Sequence, residues 1–129
     1  MDQNYTSLTH AVKSNLINAL ELLIKHNADI NTLSHHGTPL HVAISQHSVE
    51  CALRLLQIEN INLEELNEEG NTVLHEAVKQ GEGDIFLLIL EILEKKNLLN
   101  LINIQNVDGN TVLHLGELYE RTSIVKILR

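Results

Sequence analysis

An all-α solenoid of stacked helix-turn-helix units is predicted by three observations. The string Thr-x-Leu-His recurs at Thr38-Pro39-Leu40-His41, Thr72-Val73-Leu74-His75 and Thr111-Val112-Leu113-His114, each just after a glycine-containing turn. A weaker copy, Thr6-Ser7-Leu8-Thr9, opens the series, and the four threonines stand 32, 34 and 39 residues apart, about one helix pair each. After every copy a brief polar break leads into a second apolar-periodic segment.

Each string reads as the start of a short inner helix. Threonine is a favoured N-cap, and Pro39 at the next position loses nothing because that amide is unpaired in any helix. Leu40, Ala43 and Ile44 then fall on one stripe, matched by Leu74, Ala77 and Val78 and by Leu8, Ala11 and Val12. The fourth copy departs from this pattern with Leu113, Gly116 and Glu117. Outer helices are predicted over 16–26, 49–57, 85–96 and 123–129. Ala19, Leu20, Leu22, Leu23 and Ile24 form the apolar face of the first, and Cys51, Ala52, Leu53, Leu55 and Leu56 that of the second. Cys51 reads as a small core residue. The polar links 30–37, 60–70 and 103–109 are predicted to project as hairpin-like loops, turned by Glu69-Gly70-Asn71 and Asp108-Gly109-Asn110. The whole chain, 1–129, reads as a single domain with units of about 1–33, 34–67, 68–106 and 107–129.

Composition narrows the function classes. With 43% hydrophobic residues and only Phe86, Tyr5 and Tyr119 as aromatics, the core must come from the 24 leucines and their aliphatic neighbours. One cysteine excludes an intrachain disulfide, and a reducing cytoplasm or nucleus is expected. The longest apolar run, 85–90, reaches Leu93 only through Glu91, far short of the roughly 20 residues of a membrane span, so no membrane role is expected. The formal charge of −8, with nine scattered cations, argues against nucleic acid. It suits either a partner with a basic surface or plain solubility.

Eight histidines raise the question of metal or catalysis, but the spacing answers it. His41, His75 and His114 stand one per repeat, too far apart for one metal, and are expected to bridge backbone and threonine groups of adjacent units. His35 and His36 have no cysteine or carboxylate beside them and read as exposed loop residues. No nucleophile elbow or phosphate loop is present, and Gly81-Glu82-Gly83 is a turn. No catalytic residue, metal or cofactor is therefore expected.

Read together, the repeats resemble the ankyrin family pattern Gly-x-Thr-Pro-Leu-His-x-Ala-Ala. Asn27-Ala28-Asp29-Ile30-Asn31 resembles the family's Gly-Ala-Asp-Val-Asn loop, and Ser123-Ile124-Val125-Lys126-Ile127-Leu128 its Glu-Ile-Val-Lys-Leu-Leu outer helix. The resemblance implies an ankyrin-repeat solenoid that binds another protein through loop tips and the exposed side of its inner helices. Carried onto this sequence, the inner-helix positions are His10, Lys13, Val42, Ser45, Gln46, Glu76, Lys79, Gln80, Leu115 and Tyr119. The tips lie at 34–36, 64–69 and 105–108 and include His35, His36, Glu68, Glu69 and Asp108. Tyr119 is either a binding anchor or a packed terminal residue, and the acidic run 64–69 either a docking patch or a solvated loop. The implied function is a non-catalytic protein-interaction module, or alternatively the recognition part of a larger enzyme. The string 108–115 and the long third unit are similar to cytoplasmic inhibitors of Rel-type transcription factors and their viral mimics. Repeats rich in Asn and Ile, here 14 and 13 residues, also resemble effectors of intracellular bacteria, which would place the protein in a host cytoplasm.

Departures from the pattern carry expectations of their own. Gly37 abuts Thr38 directly, one residue short of the later links. The third unit holds about six extra residues within 94–102, which should extend its outer helix or add a turn, with Leu98, Leu99, Leu101 and Ile102 either packed under the edge or sticky. Leu113, Leu118, Ile124, Val125, Ile127 and Leu128 are expected to form an open terminal face, either because the chain is a fragment or because that face self-associates.

Overall fold

The computed structural model describes residues 6–129; the first five positions of the predicted first unit, Tyr5 among them, lie outside the described residues. Those described form helices α1 Ser7–Lys13, α2 Ile17–Lys25, α3 Pro39–Ser45, α4 Val49–Leu56, α5 Val73–Gln80, α6 Gly83–Lys95, α7 Val112–Leu118 and α8 Thr122–Leu128. Inner helices α1, α3, α5 and α7 stack in chain order, and the outer helices α2, α4, α6 and α8 form a second row behind them. The predicted all-α solenoid is what folds, and no strand forms among the described residues.

The repeated threonine caps each inner helix. Thr38, Thr72 and Thr111 sit in extended backbone and accept from the amide three residues on, while that residue's imidazole accepts from the threonine's own amide. Histidine thus takes the place usually held by glutamate in a capping box. Because Nδ1 of His41 accepts from the Thr38 amide at 3.0 Å, its proton sits on Nε2, which donates to the carbonyl of Asn71 at 2.9 Å. His75 repeats the arrangement, donating to the carbonyl of Asn110 at 3.0 Å. Each ring therefore closes its own helix and fastens the next unit's loop. His114 makes the cap but not the bridge expected of it; among the described residues its far nitrogen has no hydrogen-bond partner, and the residue is exposed. In the weaker first copy, Thr6 still caps α1 by accepting from the amide of Thr9.

The core follows the predicted stripes. Leu8, Leu40 and Leu74, with Ala11, Ala43 and Ala77, are buried throughout, backed by Leu20, Leu55, Phe86, Ile89 and Leu93 from the outer row. Gly116 stands where the other units have alanine, because a β-carbon there would lie 3.0 Å from Cγ2 of Val125. Cys51 is fully buried, and burial pushes its thiol pKa up, as a core residue requires. The outer faces are narrower than predicted. Leu22 is 57% exposed and Leu53 37%, since only one side of each outer helix meets the inner row.

The third unit both lengthens its helix and adds a turn. α6 runs 13 residues, and a 3-10 turn follows at Leu99–Asn103. Leu101 is buried and Leu98 and Ile102 pack against the core, while Leu99 stays 40% exposed, so the segment is mostly an edge seal. Of the expected terminal face, Leu118 and Ile127 are open, but Ile124 is only 2% exposed because it turns inward with α8.

Every inner helix ends in a left-handed residue: Asn15, His47, Gly81 and Glu120 have φ of 54°, 58°, 73° and 57°. Glycine and asparagine tolerate that region, whereas glutamate is strained there. Glu120→Gly should raise stability by about 0.5–1 kcal/mol and the melting temperature by about 2–5 °C, read by thermal denaturation.

Burial lowers the pKa of both His41 and His75, outweighing their bonds to Asn71 and Asn110 and the nearby Glu76 carboxylate. An unfolded imidazole takes its proton near pH 6.5, while these two resist to lower pH, so the unfolded chain binds more protons as pH falls. Stability from this source is intact above about pH 6.5 and lost progressively below it. Urea midpoints measured between pH 8 and pH 5 should fall over the lower half of that range, and a midpoint flat to pH 5 would contradict this.

Candidate protein-binding groove

The loops ahead of α5 and α7 are asparagine-built hairpins. Asn67 pairs through its backbone with Asn71, and Asn106 with Asn110, at 3.1 and 2.9 Å. Within each, the asparagine carboxamide oxygen takes two amides: Glu69 and Asn71 on Asn67, and Asp108 and Asn110 on Asn106. Gly70 allows the tight approach, since a β-carbon there would lie 3.0 Å from the Val107 amide nitrogen. The hairpin ahead of α3 is closed by the paired backbones of Ser34 and Gly37. Successive tips are tied by single backbone bonds, Glu68 N–H to His35 C=O at 2.9 Å and Val107 N–H to Glu69 C=O at 3.0 Å. Tips and inner helices together line a groove.

Between the second and third units the groove deepens into a cavity of about 120 Å³, lined by His35, His36, Ser45, Glu68, Glu69, Glu76, Lys79 and Gln80 together with His41 and Asn67. Eight of the predicted binding positions are thus brought to one place. Of the others, His10, Lys13, Gln46, Asp108 and Tyr119 are exposed elsewhere along the surface. Tyr119 is 41% exposed with the Arg121 guanidinium 5.8 Å from its ring centre, neither fully packed nor bare.

Three positions expected to face solvent do not. Val42, Glu76 and Leu115 are 6%, 3% and 5% exposed. They share one register position, and Glu76 shows what covers it. Its Oε2 accepts from the carboxamides of Asn71 at 2.9 Å and Asn67 at 3.1 Å. Asn71 in turn accepts from the Asn106 carboxamide at 2.9 Å, so a chain of amides runs from the third hairpin to the buried carboxylate. Burial opposes the charge of Lys79, but the carboxylates of Glu76 and Glu69 outweigh it and raise its pKa. Its ammonium stands 3.4 Å from both oxygens of Glu69.

Arg121 is a residue that sequence reasoning passed over. From the far side of the break before α8, it donates to the carbonyls of Val78 at 3.0 Å and Lys79 at 2.8 Å, capping the end of α5. Among the described residues no three His, Cys, Asp or Glu side chains gather as a metal site, and no helix is long and apolar enough to cross a membrane.

Comparison with known proteins gives a consistent family. A family profile described as Ankyrin repeats (3 copies) matches residues 8–98. Alpha-latrotoxin-Lhe1a of Latrodectus hesperus is 35% identical over 82 residues, 62% of this chain and 6% of that protein. The nuclear factor NF-kappa-B p105 subunit of Gallus gallus is 29% identical over 128 residues, 96% of this chain and 12% of that one. The B-cell lymphoma 3 protein homolog of Mus musculus is 37% identical over 90 residues, 67% of this chain and 20% of that one. The chain thus spans a fifth or less of each of these relatives.

The amide chain under the groove has a measurable weight. Asn71→Ala strips Glu76 of one donor and the Asn106 carboxamide of its acceptor, which should cost about 2–3 kcal/mol in urea unfolding. A loss below about 0.5 kcal/mol would mean that Asn67 alone satisfies the carboxylate.

Proposed function

Because this chain belongs to the ankyrin-repeat family, we propose that it is a non-catalytic module that grips a partner protein along the groove between its hairpin tips and inner helices. The single observation that carries this reading is the convergence of His35, His36, Ser45, Glu68, Glu69, Lys79 and Gln80 on one continuous wall. Those side chains come from two hairpins and two helices, a breadth suited to a polypeptide. No grouping in the wall sets a nucleophile against a positioned base, which favours recognition over chemistry.

The finer reading is that the partner is a transcription factor of the Rel type, met in the cytoplasm or nucleus. Its support is the likeness to the p105 subunit along 96% of the chain and to the B-cell lymphoma 3 protein homolog along 67%. The carboxylates at the second tip, Glu64, Glu65, Glu68 and Glu69, would meet a basic surface on such a partner and speed encounter at low salt.

A purified Rel-type dimer, titrated with this protein by calorimetry, tests the reading directly. Binding is expected, and the double variant Gln80→Ala, Tyr119→Ala should weaken it about tenfold while the helical circular dichroism stays unchanged. Unaltered affinity in the double variant would remove the groove from the interface; no binding to any Rel-type dimer would remove that partner class.

A further inference from the structure

We infer that the cavity between the second and third units is a receptor for one cationic side chain, lysine or arginine, of the bound polypeptide, with Glu76 as its anchor. The inference rests on reading the groove as the binding face and adds the chemistry of its deepest point.

Glu76 is a carboxylate held almost wholly inside the protein, 3% exposed, and it lines the cavity. Both of its protein donors, the carboxamides of Asn67 and Asn71, bond to Oε2. None of the described residues donates to Oε1. Among the described residues no buried side-chain oxygen lacks a partner, so Oε1 is reached from the cavity. A carboxylate in a poorly hydrated site calls for a donor, preferably a charged one. Lys79 supplies charge but not the bond: Glu76 helps raise its pKa, yet among the described residues its ammonium hydrogen-bonds to Glu69 and forms no ion pair with Glu76.

The remaining walls suit the same guest. Glu68 and Glu69 add carboxylates at the mouth, against which Lys79 sets one positive charge. Ser45 and Gln80 offer uncharged polar groups along the sides, with the His36 imidazole beside them. A volume of about 120 Å³ admits the end of one long side chain and little more. The asparagine chain from Asn106 through Asn71 holds the anchor in place before any guest arrives, which lowers the ordering cost of binding.

The test uses a synthetic hexa-arginine peptide and, in parallel, hexa-lysine, titrated into the isotope-labelled protein by NMR. Saturable shifts are expected at the side-chain amides of Asn67 and Asn71. Glu76→Gln should weaken binding tenfold or more, and Ser45→Leu, which fills the cavity without altering charge, should do the same. Glu91→Gln, an exposed carboxylate on α6, serves as control and should change affinity less than twofold. Equal losses from Glu76→Gln and Glu91→Gln, or an unaffected Ser45→Leu, would reduce the attraction to diffuse charge and overturn the receptor. So would absence of binding by either peptide. Should Glu76→Gln unfold the protein, Ser45→Leu and the asparagine shifts decide alone. None of these outcomes touches the groove itself, which the Gln80 and Tyr119 variant addresses separately.

Discussion

Two neutral imidazoles hold this protein together. His41 and His75 each accept an amide at the start of their own helix and donate to a carbonyl of the following hairpin. A second proton on either ring would aim an N–H at the N–H it now accepts, and the cap would be lost. Helix start, unit stacking and hairpin position are thereby made conditional on one protonation state. Because a hairpin's height sets the groove wall, the geometry of the binding face descends from the same two rings.

A second layer of amides builds on this frame. The asparagines at 31, 62, 67, 71 and 106 cross-link neighbouring loops or brace their own turns. Those at 15, 27 and 97 occupy left-handed backbone at helix ends. Much of the chain's asparagine content thus has mechanical work. The carboxamide suits this work because it carries donor and acceptor on one short arm.

The architecture was legible because its signals are local and repeated: a cap, a stripe and a turn glycine return at fixed offsets, and each reinforces the others. The bridging role of His41 and His75 could be read for the same reason. What escaped was set by packing between units. Glu76 looks like an exposed charge on a helix face until the hairpin folds over it. Arg121 gives no local sign that its guanidinium will reach carbonyls 42 and 43 residues away. His114 carries the full motif, yet the motif says nothing of whether a neighbour will stand opposite. Leu22 and Leu53 count toward an apolar face in sequence, though a single-sided layer covers only part of it.

The hairpin tips are joined by one backbone bond per step, whereas the helices behind them are packed side chain to side chain. The rim is therefore held by main-chain bonds and amide links, and the spine by apolar packing. The two sides of the molecule thus answer to different solvent conditions, the rim to whatever competes for polar groups and the spine to whatever weakens apolar burial.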